Sequence, residues 1–199
     1  MRVKAQWFKE ERSRTPEEAA SVMAFILWRA GINAVKQMRE AHFDIDAGPP
    51  YFAFMREVLV FMAMVADRIA FEQLDGEARS RFTTEVAMRV ADILVENESR
   101  LLGPEHEPGY RKEFIDLYNL RASDYATFAF ASDGPDFAFM RYLGACITAL
   151  VPAKDKTWAM DQIVASEAPD AVESIRKGMV GLFAPPGARA ARRRAVSGD

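Results

Sequence analysis

Residues 50–74 read PYFAFMREVLVFMAMVADRIAFEQL, and this stretch decides the fold class. Its apolar side chains recur every three or four residues, along a stripe made by Phe54, Val58, Phe61, Met62, Val65 and Ile69. That spacing follows the 3.6-residue turn of an α-helix and not the two-residue repeat of a strand. Further apolar residues flank the stripe, so this predicted helix is apolar on more than one face.

Charged residues divide the apolar stretches before any of them reaches the length of a membrane span. Arg29 ends the apolar run 19–28, and Asp67 ends the run 58–66. Both runs fall well short of the ~20 apolar residues that a helix needs to cross a bilayer. The sequence therefore predicts no membrane span.

The same periodicity predicts a bundle of about five long and two short helices. Thr15, Pro16 and Glu18 form a capping signal at the start of the first helix, which fades near His42. The long helices are expected at roughly 15–42, 50–74, 77–102, 110–130 and 136–151, and the short ones at 155–166 and 169–183. The fifth is apolar almost all round except for Arg141, which predicts a central buried helix.

These helices form one all-α domain over residues 15–184, a size that supports a substantial core. A basic segment precedes it at 1–14, and a basic flexible tail with too few apolar residues to fold follows at 185–199. The alternative is partial β structure, because Phe-Ala-Phe alternates at 52–54 and at 128–130. Scarce β-branched residues and abundant Ala and Met favour helix at both places.

One short motif occurs twice. Phe-Ala-Phe-Met-Arg stands at 52–56 and again at 137–141, each time after a turn with Asp, Gly and Pro and at the start of an apolar helix. The match suggests a remnant of a duplicated pair of helices. Chance is the alternative, since the chain is rich in Phe, Ala and Met and one short match is weak support for a repeat.

Charge is unevenly distributed along the chain. Residues 1–14 hold five basic and two acidic residues, and residues 185–199 hold four basic and one acidic residue, so each end carries +3. The whole chain carries −3, which leaves −9 for residues 15–184. Nucleic-acid-binding domains present a basic face, so this acidic body gives no strong nucleic-acid signal. The four arginines within 189–194 could touch phosphates, although a solvated tail is the commoner outcome.

Cys146 is the only cysteine, and it lies in an apolar run that predicts a buried small hydrophobic side chain. A single cysteine excludes a disulfide within one chain, which fits a reducing compartment. The first fifteen residues are charged throughout and lack the apolar core of a secretory signal. We therefore expect a cytoplasmic protein.

No metal or cofactor site is predicted. The chain has two histidines, His42 and His106, and neither follows a Glu by three residues, which is the spacing in di-iron helical bundles. Gly-x-Ser-x-Gly, P-loop and Gly-x-Gly-x-x-Gly motifs are absent from the sequence. An enzyme therefore ranks last among the function classes, since it would need a histidine or a carboxylate pair to meet in a cleft.

Charged residues inside apolar helices are the strongest remaining signal. They are Arg29, Arg56, Glu57, Asp67, Arg68 and Arg141. A buried charge needs a partner. The favoured interpretation is therefore that interhelical ion pairs, such as Arg141 with Asp116 or Asp124, fix the register of the helices.

A hydrophobic ligand held inside the bundle is the alternative interpretation of the same charges. In this hypothesis Arg56 and Arg141, from the two helices that share the repeated motif, hold an acidic head group. Met55 and Met140 beside them line the site, because methionine adapts its shape to apolar ligands.

Self-association is the function that the sequence favours. Helices two and five are apolar on more than one face, and such faces are easier to bury in an oligomer than in a monomer. We therefore expect a non-catalytic interaction or structural module that forms a homodimer or another homo-oligomer through one of these faces.

Overall fold

The computed structural model describes residues 14–104 and 107–184. The fold is 82% helical, so the predicted all-α class is confirmed. The helices are α1 (Pro16–Glu40), α2 (Pro49–Gln73), α3 (Gly76–Leu102), α4 (Glu107–Tyr125), α5 (Phe137–Leu150), α6 (Lys156–Gln162) and α7 (Ala168–Phe183). Two-residue strands, β1 (Phe130–Ala131) and β2 (Gly134–Pro135), pair antiparallel between α4 and α5. The predicted basic segment at 1–14, except for Arg14, and the predicted tail at 185–199 lie outside the described residues.

Side-chain caps begin three of the long helices. Thr15 accepts a hydrogen bond from the Glu18 backbone N–H at 3.2 Å, and the Glu18 carboxylate accepts one from the Thr15 N–H at 3.0 Å. This reciprocal pair is the predicted capping box, which satisfies N–H groups that have no partner within the helix. Asp75 and Asp136 cap α3 and α5 by accepting from the backbone N–H three residues later.

The predicted count of five long and two short helices is slightly wrong, because the last two helices form one continuous run. A π-helical turn, Ile163–Glu167, joins α6 to α7, and Gln162 and Ala168 at its two ends keep right-handed helical angles. The Ala168 N–H donates to the Ile163 carbonyl, five residues back. Pro169 has no N–H to donate, so a wider turn just before it accommodates the missing hydrogen bond without ending the run.

The predicted fourth helix is also too long, since α4 ends at Tyr125. Thr127 turns back on the helix end, where its hydroxyl and its backbone N–H both donate to the Asp124 carbonyl. Gly134, with φ of 125°, then supports the short β1–β2 pairing. The expectation of helix at 128–130 is therefore wrong, whereas Phe-Ala-Phe at 52–54 is helical as predicted.

The central helix of the bundle is α2 and not α5. It packs against α1, α3, α4, α5 and α7, and every residue from Glu57 to Ala66 is buried. By contrast, α5 buries one face and exposes Phe137, Arg141 and Ala145 on the other. The prediction of a central fifth helix is wrong because alanine counts as apolar in a periodicity but is small enough to remain in water at little cost. None of the helices in the described residues is long and apolar enough to cross a membrane.

Phe61 provides a direct test of the central position of α2. Its side chain is fully buried, and its ring packs edge-on against Phe139 of α5 with centroids 5.6 Å apart. We expect Phe61→Ala to lower the free energy of unfolding by about 3–5 kcal/mol, because it leaves a cavity in the core. Urea denaturation followed by circular dichroism measures this change.

Phe71→Ala, on the same helix, is the matched control. This side chain is 67% exposed and its ring lies 5.0 Å from the Arg79 guanidinium, so its loss should cost no more than about 1 kcal/mol. Equal losses in the two variants would contradict the placement of α2 at the centre.

Candidate functional site

A buried ion pair joins α2 to α4. The Arg121 guanidinium donates two hydrogen bonds to the Glu57 carboxylate, from Nε to Oε2 at 3.0 Å and from Nη2 to Oε1 at 2.6 Å. The Glu57 side chain is almost fully buried, and that of Arg121 is four-fifths buried. This bidentate geometry is the strongest form of a carboxylate–guanidinium contact, and it raises the pKa of Arg121 above its usual range.

The same guanidinium extends the network to α5. Arg121 Nη1 donates to the Tyr142 hydroxyl at 2.8 Å, and that hydroxyl donates in turn to the Asp124 carboxylate. The guanidinium carbon also lies 5.5 Å from the centre of the Tyr142 ring. Burial, followed by the hydrogen bond to Asp124, raises the pKa of the Tyr142 hydroxyl, so the hydroxyl remains a proton donor at neutral pH.

Cys146 and Tyr125 complete this cluster, which we call the α2–α4–α5 network (Glu57, Arg121, Asp124, Tyr125, Tyr142 and Cys146). Burial is the main cause that raises the pKa of the Cys146 thiol to about 11, and the Glu57 carboxylate raises it further. Burial also raises the pKa of the Tyr125 hydroxyl, which is buried without a hydrogen-bond partner among the described residues. The prediction that Cys146 is buried is confirmed, but its surroundings are polar.

The network links helices and does not activate the Cys146 thiol as a nucleophile. A reactive cysteine needs its thiolate form, and a pKa of about 11 keeps the Cys146 thiol protonated at neutral pH. The Glu57 carboxylate is already engaged by Arg121 through two hydrogen bonds. The network therefore holds α4 and α5 against the central helix.

The other charges of α2 are paired in the same manner. Arg56 contacts Glu98 of α3 at 2.5 Å and Glu113 of α4 at 2.9 Å. Asp67 accepts hydrogen bonds from Arg79 and Thr83 of α3. In addition, Arg68 donates to the Tyr125 carbonyl at 3.1 Å. These contacts agree with the interpretation that ion pairs between helices fix their register.

The residues predicted to hold an acid-headed ligand lie in different surroundings. Arg56 is engaged by two carboxylates, whereas Arg141 is exposed on α5. Met55 is fully buried, and its Cε would lie 2.9 Å from a Cβ added at Gly31 of α1, while Met140 is half-buried. An acidic ligand at Arg56 would have to displace both carboxylates, so the geometry gives this hypothesis little support.

The predicted partners of Arg141 are occupied by other residues. Asp116 contacts Lys112 of its own helix, and Asp124 accepts from Tyr142. Arg56 and Arg141 have different surroundings because the two copies of the repeated motif lie at different places in the bundle. Its first copy starts the central helix, and its second copy starts a peripheral one.

Sequence reasoning identified Glu57 as a charge in an apolar helix but missed the partners that make it a site. One signal was present on α4, where residues 121, 124 and 125 lie on one helical face at spacings of three and four. A second was present on α5, where residues 142 and 146 are four apart. Neither spacing indicates which helix lies opposite.

A separate open pocket of about 500 Å³ lies between the end of α1 and the helix α6. Its polar and aromatic lining consists of His42, Phe43, Asp155, Trp158, Asp161 and Gln162. His42 has φ of 67°, a left-handed conformation that is uncommon for residues other than glycine. The second predicted histidine, His106, lies outside the described residues.

No metal centre is formed within residues 14–104 and 107–184. No three or more His, Cys, Asp and Glu side chains in these ranges converge in a way that could hold an ion. Comparison with known proteins provides no analogy either, since no protein-family profile, curated protein or solved structure matches the chain significantly.

Glu57→Gln tests the buried ion pair. The amide keeps the shape of the side chain but leaves Arg121 with only the Asp124 carboxylate, at 3.6 Å, so the free energy of unfolding should fall by about 1.5–3 kcal/mol. The control is Glu113→Gln, because Glu113 is 62% exposed and Arg56 keeps its contact with Glu98. Its cost should stay below about 1 kcal/mol in the same urea titration. A mild effect of Glu57→Gln would contradict the assigned role.

The Cys146 thiol gives a pH-dependent test of the same network. We expect iodoacetamide to label the folded protein slowly at neutral pH, with a rate that rises towards a midpoint near pH 11. Because the folded protein holds this proton more tightly than the unfolded chain, the stability that the thiol contributes is present at neutral pH and is lost as pH rises towards 11. Mass spectrometry measures the labelling, and equal rates in folded and urea-unfolded protein at pH 8 would refute the prediction.

Proposed function

We propose that this protein is a non-catalytic interaction or structural module that forms a homodimer. The observation that carries the proposal is the α5 outer face, which consists of the exposed residues Phe137, Ala138, Arg141, Ala145 and Ala149. Four of these five side chains are apolar. Phe137 is 64% exposed, so the start of the face presents a large apolar group to water.

The composition of this face favours helix-to-helix contact. Three alanines accompany Phe137 on this face, and small side chains let two helix axes approach closely. Burial of Phe137 would remove apolar surface from water, which is the main driving force of association. By contrast, most apolar residues of α2 are already buried in the monomer, so of the two helices suggested by the sequence α5 offers the larger apolar face.

The face is complementary to a second copy of itself. If two α5 helices pair antiparallel about a two-fold axis at the level of residue 143, Phe137 of each copy lies opposite Ala149 of the other. Arg141 then lies opposite Ala145. Each large side chain of the face therefore meets a small one, and the long Arg141 side chain can extend past Ala145 to water.

The polar interior supports a role without catalysis. In the α2–α4–α5 network, Arg121 and Glu57 are paired with each other. The raised pKa of the Cys146 thiol disfavours nucleophilic attack. The single cysteine is unpaired, which supports a reducing compartment such as the cytoplasm.

Ala145→Arg tests the proposed dimer. Two further arginines at the centre of an antiparallel α5 pair would lie beside Arg141 of both copies, so like charges should make the variant monomeric under conditions where the wild type has twice the monomer mass. Sedimentation equilibrium over a range of concentrations measures the mass.

Met88→Arg, at an exposed apolar position of α3, is the control and should leave the dimer unchanged. A monomeric wild type at about 100 μM would refute the proposed function, since specific dimers commonly have Kd values well below that concentration. A dimer that persists in Ala145→Arg would refute the assignment of its interface to α5.

A further inference from the structure

The open pocket beside α6 presents an aromatic ring and hydrogen-bond acceptors. Trp158 is 67% exposed, so its indole is accessible, and the carboxylates of Asp155 and Asp161 lie on the same wall. Gln162 donates from Nε2 to the buried carboxylate of Glu167 at 3.0 Å, which leaves its Oε1 as an acceptor. The lining contains no lysine or arginine. An anion would therefore meet the like charges of Asp155 and Asp161, and the His42 imidazole is the one basic side chain of the lining.

The charges around the pocket favour a positive group. At its rim the Lys154 ammonium lies 2.9 Å from Asp44, and Asp44, Asp155 and Asp46 together raise the pKa of Lys154. Asp155 is held in place, because its carboxylate accepts the Asp44 backbone N–H at 2.8 Å. Asp44, Asp46, Asp155 and Asp161 thus outnumber the two lysines that flank Asp155 in the sequence, Lys154 and Lys156.

The size and chemistry of the pocket distinguish a metal ion from an organic cation. The carboxylates do not converge as metal ligands, as described above for residues 14–104 and 107–184. A space of about 500 Å³ is large enough for an organic group. The indole of tryptophan is the best side chain for a cation without tightly bound water, because its ring face is negative.

We propose that this pocket binds a small organic cation of the quaternary ammonium type, with its charged group over the Trp158 indole and beside Asp155 and Asp161. The site lies on α6 and the end of α1, so the inference goes beyond the proposed dimer and does not depend on it. Coulomb attraction and the cation–π contact provide the affinity, and the open shape of the pocket keeps binding weak and reversible.

Choline and its neutral isostere 3,3-dimethylbutan-1-ol provide the test. They differ in the replacement of the quaternary nitrogen by carbon, so a difference in affinity reports the charge alone. We expect choline to cause saturable shifts of the Trp158 indole signal in NMR titrations, with a Kd of about 1–10 mM, and the alcohol to bind at least about fivefold more weakly.

Variants assign the binding to the named residues. Trp158→Leu should weaken choline binding about fivefold, and Asp161→Asn about threefold, both followed through the backbone amide signals of α6. Glu72→Gln removes an exposed carboxylate at the far end of α2 and should leave the affinity unchanged. Each change is at an exposed position, and circular dichroism verifies that the fold is intact.

Three results would overturn the proposal. The first is the absence of any choline-dependent shift up to about 50 mM. The second is equal affinity for choline and the alcohol, which would mean that the pocket recognises shape and apolar surface and not charge. The third is equal weakening by Asp161→Asn and Glu72→Gln, which would mean that choline responds to the net charge of the protein and not to this pocket.

Discussion

The burial of α2 on every side forces its charged residues to find partners inside the bundle. An isolated charge in an apolar interior costs several kcal/mol. Each of these residues therefore needs a polar partner at a matching position along a neighbouring helix. Arg56 and Asp67 take theirs from α3, while Glu57 takes its partner from α4. The apolar surface drives the helices together, and the ion pairs select one register among the many that hydrophobic contact alone would allow.

The sequence predicted what depends on neighbouring residues and missed what depends on distant ones. The capping box at Thr15 and the length of α2 follow from local patterns, because an N-cap and an apolar stripe are complete within a few turns. The burial of α5 does not follow from a local pattern. Its periodicity shows that the helix is apolar but not how many neighbouring helices cover it. The π-helical turn lies next to Pro169, but a proline by itself does not show whether a helix ends there or continues through a wider turn.

The same division applies to the candidate sites. Glu57 was recognisable because a charge interrupts an apolar run, but its partner Arg121 is 64 residues away and belongs to a helix of weak amphipathic pattern. The pocket near His42 was out of reach for the same reason, as its lining joins residues about 115 positions apart in the chain. Residues far apart in the chain meet only when the helices pack. Local patterns in one sequence do not show which of them will meet.

The π-helical turn Ile163–Glu167 lets one unbroken run of helix pack against two different sets of neighbouring helices. Before the turn α6 packs against α5, and after it α7 packs against α1 and α2. One additional residue in a turn rotates the downstream face by about 100°, which reorients the apolar stripe without a loop. Because the helical backbone continues through the junction, the direction of α7 is set by that of α6, without the conformational freedom that a loop would introduce.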